Sequence, residues 1–131
     1  MDEHTTKRLQ NDLIAWLTTV SRGGQPQTSP VWFLLDDGAI WVYSLPDTAR
    51  VRNIEANPKV SVNLDGNGTG GDIVTIEGRA SFDPSAPAAW EVPDYVTKYT
   101  AEMEANGWTP EVFSDKYPVA IRIEPQRWRV W

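Results

Sequence analysis

The chain has 131 residues, no cysteine, one histidine and a formal net charge of −6. That length suits one domain with a single core, and the composition excludes disulfide frameworks, thiolate zinc centres, iron–sulfur clusters and cysteine nucleophiles. The net charge opposes nucleic acid and anionic lipid, no apolar run reaches the roughly 18 residues of a membrane span, and the polar start from Met1 to Arg8 has no apolar targeting core, so a cytoplasmic location is expected.

No repeat, low-complexity tract or linker divides the chain, and residues 1–131 read as one domain. The spacing of Leu9, Leu13, Ile14 and Leu17 predicts a first helix, with Trp16 near the same face and Ser21-Arg22-Gly23-Gly24 ending it. Gln27 to Leu35 reads as extended, and Pro30 inside it argues for an edge strand or a bulge. Asp36-Asp37-Gly38 is a hairpin turn signal. Ala39 to Leu45 then alternates, Ile40 and Val42 against Trp41 and Tyr43.

Leu45-Pro46-Asp47 breaks that strand. Asp47 or Thr48 caps a short helix over Ala49 to Ala56, closed by Asn57-Pro58. Lys59 to Asp65 alternates again, Gly66 to Gly71 is a flexible connection, and Asp72 to Phe82 is another strand. A helix is predicted from Asp94 to Asn106, with Pro93 at its start and Gly107 after its end. Thr109-Pro110 opens a further short helix. Val119 to Glu124 and Gln126 to Trp131 complete six strands. Helices are too few for a parallel α/β sheet, and hairpin connections predict a mainly β, antiparallel barrel or sandwich.

The strongest local signal for chemistry is an anion site. A strand ends at Tyr43-Ser44, and a helix begins after Thr48. Its free backbone N–H groups and partial positive charge favour an anion. Arg50 and Arg52 lie in the first turns and Lys59 follows on the next strand; arginine grips phosphate through paired hydrogen bonds. The alternative is a solvated helix face whose arginines pair with Asp47 and Glu55. The seven tryptophans read as core packing or as a wall for a flat ring.

The run Tyr43-Ser44, Thr48-Ala49-Arg50 and Ile54-Glu55-Ala56-Asn57-Pro58-Lys59-Val60-Ser61-Val62 resembles the core signature of the pyridoxamine 5′-phosphate oxidase-like split-barrel family. Thr28-Ser29-Pro30-Val31-Trp32-Phe33 is similar to the family strand that runs along the flavin ring. Asp72 to Ala80 and Arg122 to Trp131 are similar to its long strand and its C-terminal strand pair. The likeness covers residues 7 to 131. The motif Pro30-Val31-Trp32-Phe33 and the short chain resemble the actinobacterial subgroup that uses coenzyme F420, a deazaflavin bearing a phosphate and a polyglutamate tail.

The resemblance implies an antiparallel six-stranded split β-barrel with short peripheral helices. It implies a homodimer with cofactor sites at the subunit interface, and an oxidoreductase passing hydride from reduced F420 to an electron-poor small molecule. FMN is the alternative cofactor, because the family often has lysine where Arg50 stands. Carried over, Ser44, Thr48 and Arg50 hold phosphate, with Val51, Arg52 and Asn53 as further candidates. Ser29, Pro30, Val31, Trp32 and Phe33 line the ring. Ala49 and Thr28 stand where the vitamin B6 oxidases carry basic residues, and their C-terminal substrate-phosphate motif is missing, which argues against pyridoxamine phosphate oxidation. No protein acid or nucleophile is required, since the cofactor carries the reactivity. A catalytic triad or histidine metal cluster is not expected from one histidine in the terminal segment. A non-catalytic cofactor carrier or a haem-binding relative remains a third reading.

Overall fold

A computed structural model describes residues 2–131. Asp2 caps the first helix, α1 (Glu3–Asn11), its carboxylate accepting from the Thr5 N–H at 2.7 Å. The helix ends where Asp12 turns extended, well before the stop predicted at Ser21-Arg22-Gly23-Gly24. Ala15–Val20 forms β1 instead, with alternate residues Ala15, Leu17 and Thr19 buried. The helical spacing of Leu9, Leu13 and Leu17 loses to the period of two that the β-branched Thr18-Thr19-Val20 run supports. Gly24, at φ +91°, turns β1 into β2 (Pro26–Val31) and is not a helix cap.

The predicted strand from Gln27 to Leu35 is two strands. β2 pairs with β1, whereas β3 (Leu34–Asp36) pairs with β4 (Ala39–Ser44). After α2 (Ala49–Ala56) come β5 (Lys59–Leu64) and β6 (Val74–Phe82). A 3-10 turn at Ala89–Glu91 precedes α3 (Pro93–Ala105) and α4 (Pro110–Lys116). The last strand, β7 (Val119–Val130), is continuous where two strands were expected. Its irregularity is absorbed by a register shift at Glu77/Gly78, with Pro125 opposite Gly78. A Cβ on Gly78 would lie 2.6 Å from the Glu124 carbonyl oxygen, so this close approach requires glycine.

The result is a curled antiparallel sheet of seven strands, ordered β2-β1-β5-β6-β7-β4-β3, in a split β-barrel with four helices. Seven strands replace the expected six because β1 was read as helix, β2 and β3 as one strand, and β7 as two. Proline at position 30 is tolerated because β2 is an outer strand of the sheet.

β4 is buried on both faces, and this organises the molecule. Ile40 and Val42 enter the main core with Leu17, Phe33, Ile76, Ile121 and Ile123. Trp41 and Tyr43 point the other way, into a second, aromatic cluster with Tyr95, Tyr99, Met103 and Phe113 from α3 and α4. The helix pair therefore covers the outside of β4 and brings its aromatic side chains to the end of that strand, where Ser44 lies. Among the described residues no helix is long and apolar enough to cross a membrane.

Candidate functional site

Ser44 is the last residue of β4, and the chain turns sharply after it. Asp47 adopts φ +58°, a left-handed conformation that aspartate tolerates better than most residues. Thr48 follows as the N-cap of α2, its hydroxyl accepting from the Val51 N–H at 3.4 Å. This places Arg50 in the first turn of the helix, beside the end of β4 and the middle of β2. Its two terminal nitrogens donate to Ser29 Oγ at 3.0 Å and Ser44 Oγ at 3.3 Å. Its Nε is buried without a partner.

Arg50 makes no ion pair among the described residues. The expected alternative, pairing with Asp47 or Glu55, does not form. Burial depresses its pKa by desolvation. A guanidinium held by two neutral hydroxyls, with one nitrogen orphaned, is short of negative charge. Ser44 spends its proton on the Leu45 carbonyl at 2.9 Å, whereas the Ser29 proton is uncommitted and can also serve an anion.

Arg50 lies in the wall of a cleft of about 370 Å³. Pro30, Val31 and Trp32 form one side. Trp108, Phe113 and Tyr117, from the α3–α4 layer, form another. A second cleft of about 610 Å³ adjoins it, sharing Tyr43 and Tyr117, and carries Glu55, Asp83 and Asp115. One cleft is thus cationic and the other acidic, with two tyrosines between them.

The predicted residues divide. Ser29, Pro30, Val31, Trp32, Ser44, Thr48 and Arg50 converge on the cationic cleft or on the helix end beside it. Phe33 does not: it is fully buried in the barrel core. Its backbone is occupied, the N–H donating to Tyr99 Oη at 2.8 Å and the carbonyl accepting from Lys98 Nζ at 2.9 Å. Val51 faces the acidic cleft. Arg52 is exposed and donates to the Asp47 carbonyl at 2.7 Å. Asn53 is buried and ties α2 to β1, its Nδ2 donating to Thr19 Oγ1 at 3.0 Å. Lys59 is exposed at the start of β5, opposite Arg79. Helical spacing explains the departures on α2, since residues 50, 51, 52 and 53 point about 100° apart.

Tyr43 donates its hydroxyl proton to the Pro87 carbonyl at 2.9 Å, and burial, then Glu91 and Asp83, push its pKa up. It is a packing residue here. His4 sits on α1 and bonds Asp72 at 2.9 Å. Sequence reasoning missed Trp108, Phe113 and Tyr117. The only signal was the aromatic content, because α3 and α4 were read as peripheral.

A family model described as pyridoxamine 5′-phosphate oxidase matches residues 1–131. Solved structures share the fold. A conserved hypothetical protein from Mycobacterium tuberculosis is 26% identical with a TM-score of 0.76, covering 100% of this chain and 84% of its own. An F420 reductase is 20% identical with a TM-score of 0.72, covering 98% of both chains. The heme storage protein of Vibrio cholerae is 20% identical with a TM-score of 0.68, covering 98% of this chain and 93% of its own. The last two likenesses are of fold.

Proposed function

Because the chain belongs to the pyridoxamine 5′-phosphate oxidase family, we propose that it binds a phosphate-bearing flavin or deazaflavin, specifically coenzyme F420, and serves as a reductase of electron-poor small molecules. The observation that carries this reading is Arg50. A half-buried guanidinium with an orphaned Nε and no carboxylate partner is costly in the free protein. A phosphate would accept from its fork, from Ser29 Oγ and from the first turn of α2 beyond the Thr48 cap.

The residues present fit such a group. Arg50 and Ser29 would hold the phosphate, Ser44 would orient Arg50, and the β2 stretch Pro30–Val31 would border the ring. When bound in its reduced form, the deazaflavin supplies the hydride. The chain's own part is to bind, orient and keep water out of the cleft. No side chain of the cationic cleft is set up as a general base. Pyridoxamine phosphate oxidation itself is not proposed, since Ala49 and Thr28 leave Arg50 as the cleft's one basic side chain.

The cationic cleft opens on the exposed β2 edge. We assign that side to a second copy of the chain, which would complete the site in a homodimer. Fold neighbours that are named for F420 and for heme do not choose the cofactor; Arg50 supports a phosphate-bearing one, and F420 over FMN rests on the Pro30-Val31-Trp32-Phe33 resemblance. The test is a side-by-side equilibrium titration with oxidised F420 and with FMN. Tighter F420 binding is expected. A preference for FMN would move the reading to an FMN oxidoreductase, and no binding of either at micromolar concentration would end it.

A further inference from the structure

Four aromatic rings form one continuous stack across the second cluster. Tyr99 lies 4.6 Å from Trp32 at 7°, Trp32 lies 5.2 Å from Phe113 at 15°, and Phe113 lies 4.7 Å from Tyr117 at 17°. Neither Tyr99 with Phe113 nor Trp32 with Tyr117 forms a ring pair of its own, so the rings succeed one another in a line. Trp32 and Phe113 each stack against two neighbours. Tyr99 closes one end and is fully buried. Tyr117 is the open end.

Tyr117 is partly exposed and borders both clefts. Its ring shares the cationic cleft with Arg50. Trp108, tilted 57° to Tyr117 at 5.9 Å and 60° to Trp32 at 6.3 Å, walls the side of the stack. The tyrosine hydroxyl makes no hydrogen bond among the described residues, so its ring is not held by a polar anchor. Packing and backbone hold it. Tyr117 is the C-cap of α4, its N–H donates to the Phe113 carbonyl at 2.9 Å, and Pro118 follows. At its other end α4 is fixed by the Thr109 cap, and Ser114 Oγ links it to the Trp90 N–H at 2.9 Å. The open face is therefore presented by a fixed element, and little ordering is left for a ligand to drive.

We infer that Tyr117 is the landing face for the planar ring of the ligand, which adds a fifth member to the stack and so selects for a flat, fused heteroaromatic system. This rests on the anion-anchored cofactor reading for the ligand's identity, but the platform itself is independent of Arg50. An aromatic face recognises any flat π system through area and offset stacking. Arg50 then sorts phosphate-bearing rings from neutral ones. The two residues divide recognition between ring and phosphate.

The probes are riboflavin and deazariboflavin, which carry the rings without phosphate. Titration is followed by tryptophan quenching and by the shift of the ligand's visible band. Tyr117→Ala should weaken binding of the better probe about ten-fold, as expected for one lost stacking contact. Tyr117→Phe should stay within about two-fold of wild type. Tyr117→Leu keeps the packing on Phe113 while removing the π face, and should resemble Tyr117→Ala. It also guards against a folding defect, monitored by the urea midpoint. Wild-type affinity in Tyr117→Leu, or no binding of either probe to the wild type, overturns the inference. FMN titrated alongside reads the phosphate: probe binding that needs Tyr117, with FMN no tighter than riboflavin on the wild type, would leave the platform standing and remove the phosphate reading.

Discussion

A residue kept to bind an anion should be indifferent or harmful to the stability of the ligand-free protein. Arg50 and Arg8 allow a comparison within one chain. Arg8 is a structural arginine: it pairs with Asp12 at 2.9 Å, donates to the Asp72 carbonyl at 2.6 Å and also bonds the Asp65 carbonyl. It closes α1 onto the loop before β6. Replacing it with methionine takes the donor from those carbonyls and the cation from the Asp12 and Asp72 carboxylates, at a cost of about 2–3 kcal/mol. Arg50 donates only to two serine hydroxyls and carries a desolvated charge with an orphaned Nε. Arg50→Met loses about 1–3 kcal/mol of hydrogen bonding. It also removes the desolvation penalty of an uncompensated charge, which is of similar size at a site open on one side. The two changes nearly cancel. In urea denaturation of cofactor-free protein in phosphate-free buffer, Arg50→Met should stay within about 1 kcal/mol of wild type. Arg8→Met should lower the midpoint by about 1–2 M, given a slope of roughly 1–3 kcal/mol per M. If Arg50→Met destabilises as much as Arg8→Met, Arg50 is a structural residue and the reasoning fails.

Lys98 supplies a pH test. Its ammonium is packed 3.7 Å from the Phe33 ring centroid, makes no ion pair among the described residues, and burial lowers its pKa to about 8 from 10.5. The unfolded chain therefore holds more protons than the folded one between those values, and stability contributed at this site rises with pH across that window. The stability of wild type relative to Lys98→Met should accordingly improve from pH 7.5 to about 10; a flat or falling difference in urea midpoints would contradict the assignment. Tyr99 supplies a hydrogen-bond test. Its hydroxyl accepts from the Phe33 N–H at 2.8 Å and donates to the Leu13 carbonyl at 2.7 Å, both on buried or part-buried backbone. Tyr99→Phe keeps the ring stack but orphans both groups, so it should cost about 1–3 kcal/mol in chemical denaturation. A change below about 0.5 kcal/mol would mean that water replaces the hydroxyl.

Local signals carried α2 well. The Thr48 cap, the helix from Ala49 to Ala56 and the Asn57-Pro58 stop all form as read, because capping and proline act within a few residues. The N-terminal segment was misread for a related reason. Leu9, Leu13 and Leu17 satisfy a helical period, but the last of them belongs to a strand whose pairing with β2 and β5 is set by distant residues. The break at Trp32–Phe33 was equally invisible: only the barrel's closure sends β2 and β3 to opposite ends of the sheet. Arg50 was legible as a cation at a helix start, but its partner Ser29 lies 21 residues away and was reached through family resemblance alone. Tyr117 had no local signature at all. Its meaning comes from three other rings, contributed by the β2–β3 crossover, α3 and α4, that line up behind it.

The central claim is that the cationic cleft holds a cofactor phosphate through Arg50. The most direct measurement compares deazariboflavin phosphate with deazariboflavin, which differ only in the phosphate, for binding to wild type and to Arg50→Met. A charge-assisted, forked contact is worth about 1.5–3 kcal/mol. Wild type should therefore favour the phosphorylated form by roughly 10- to 150-fold. In Arg50→Met that preference should fall to within about three-fold, with binding of the unphosphorylated form unchanged. A preference that survives the substitution would place the phosphate elsewhere and contradict the account.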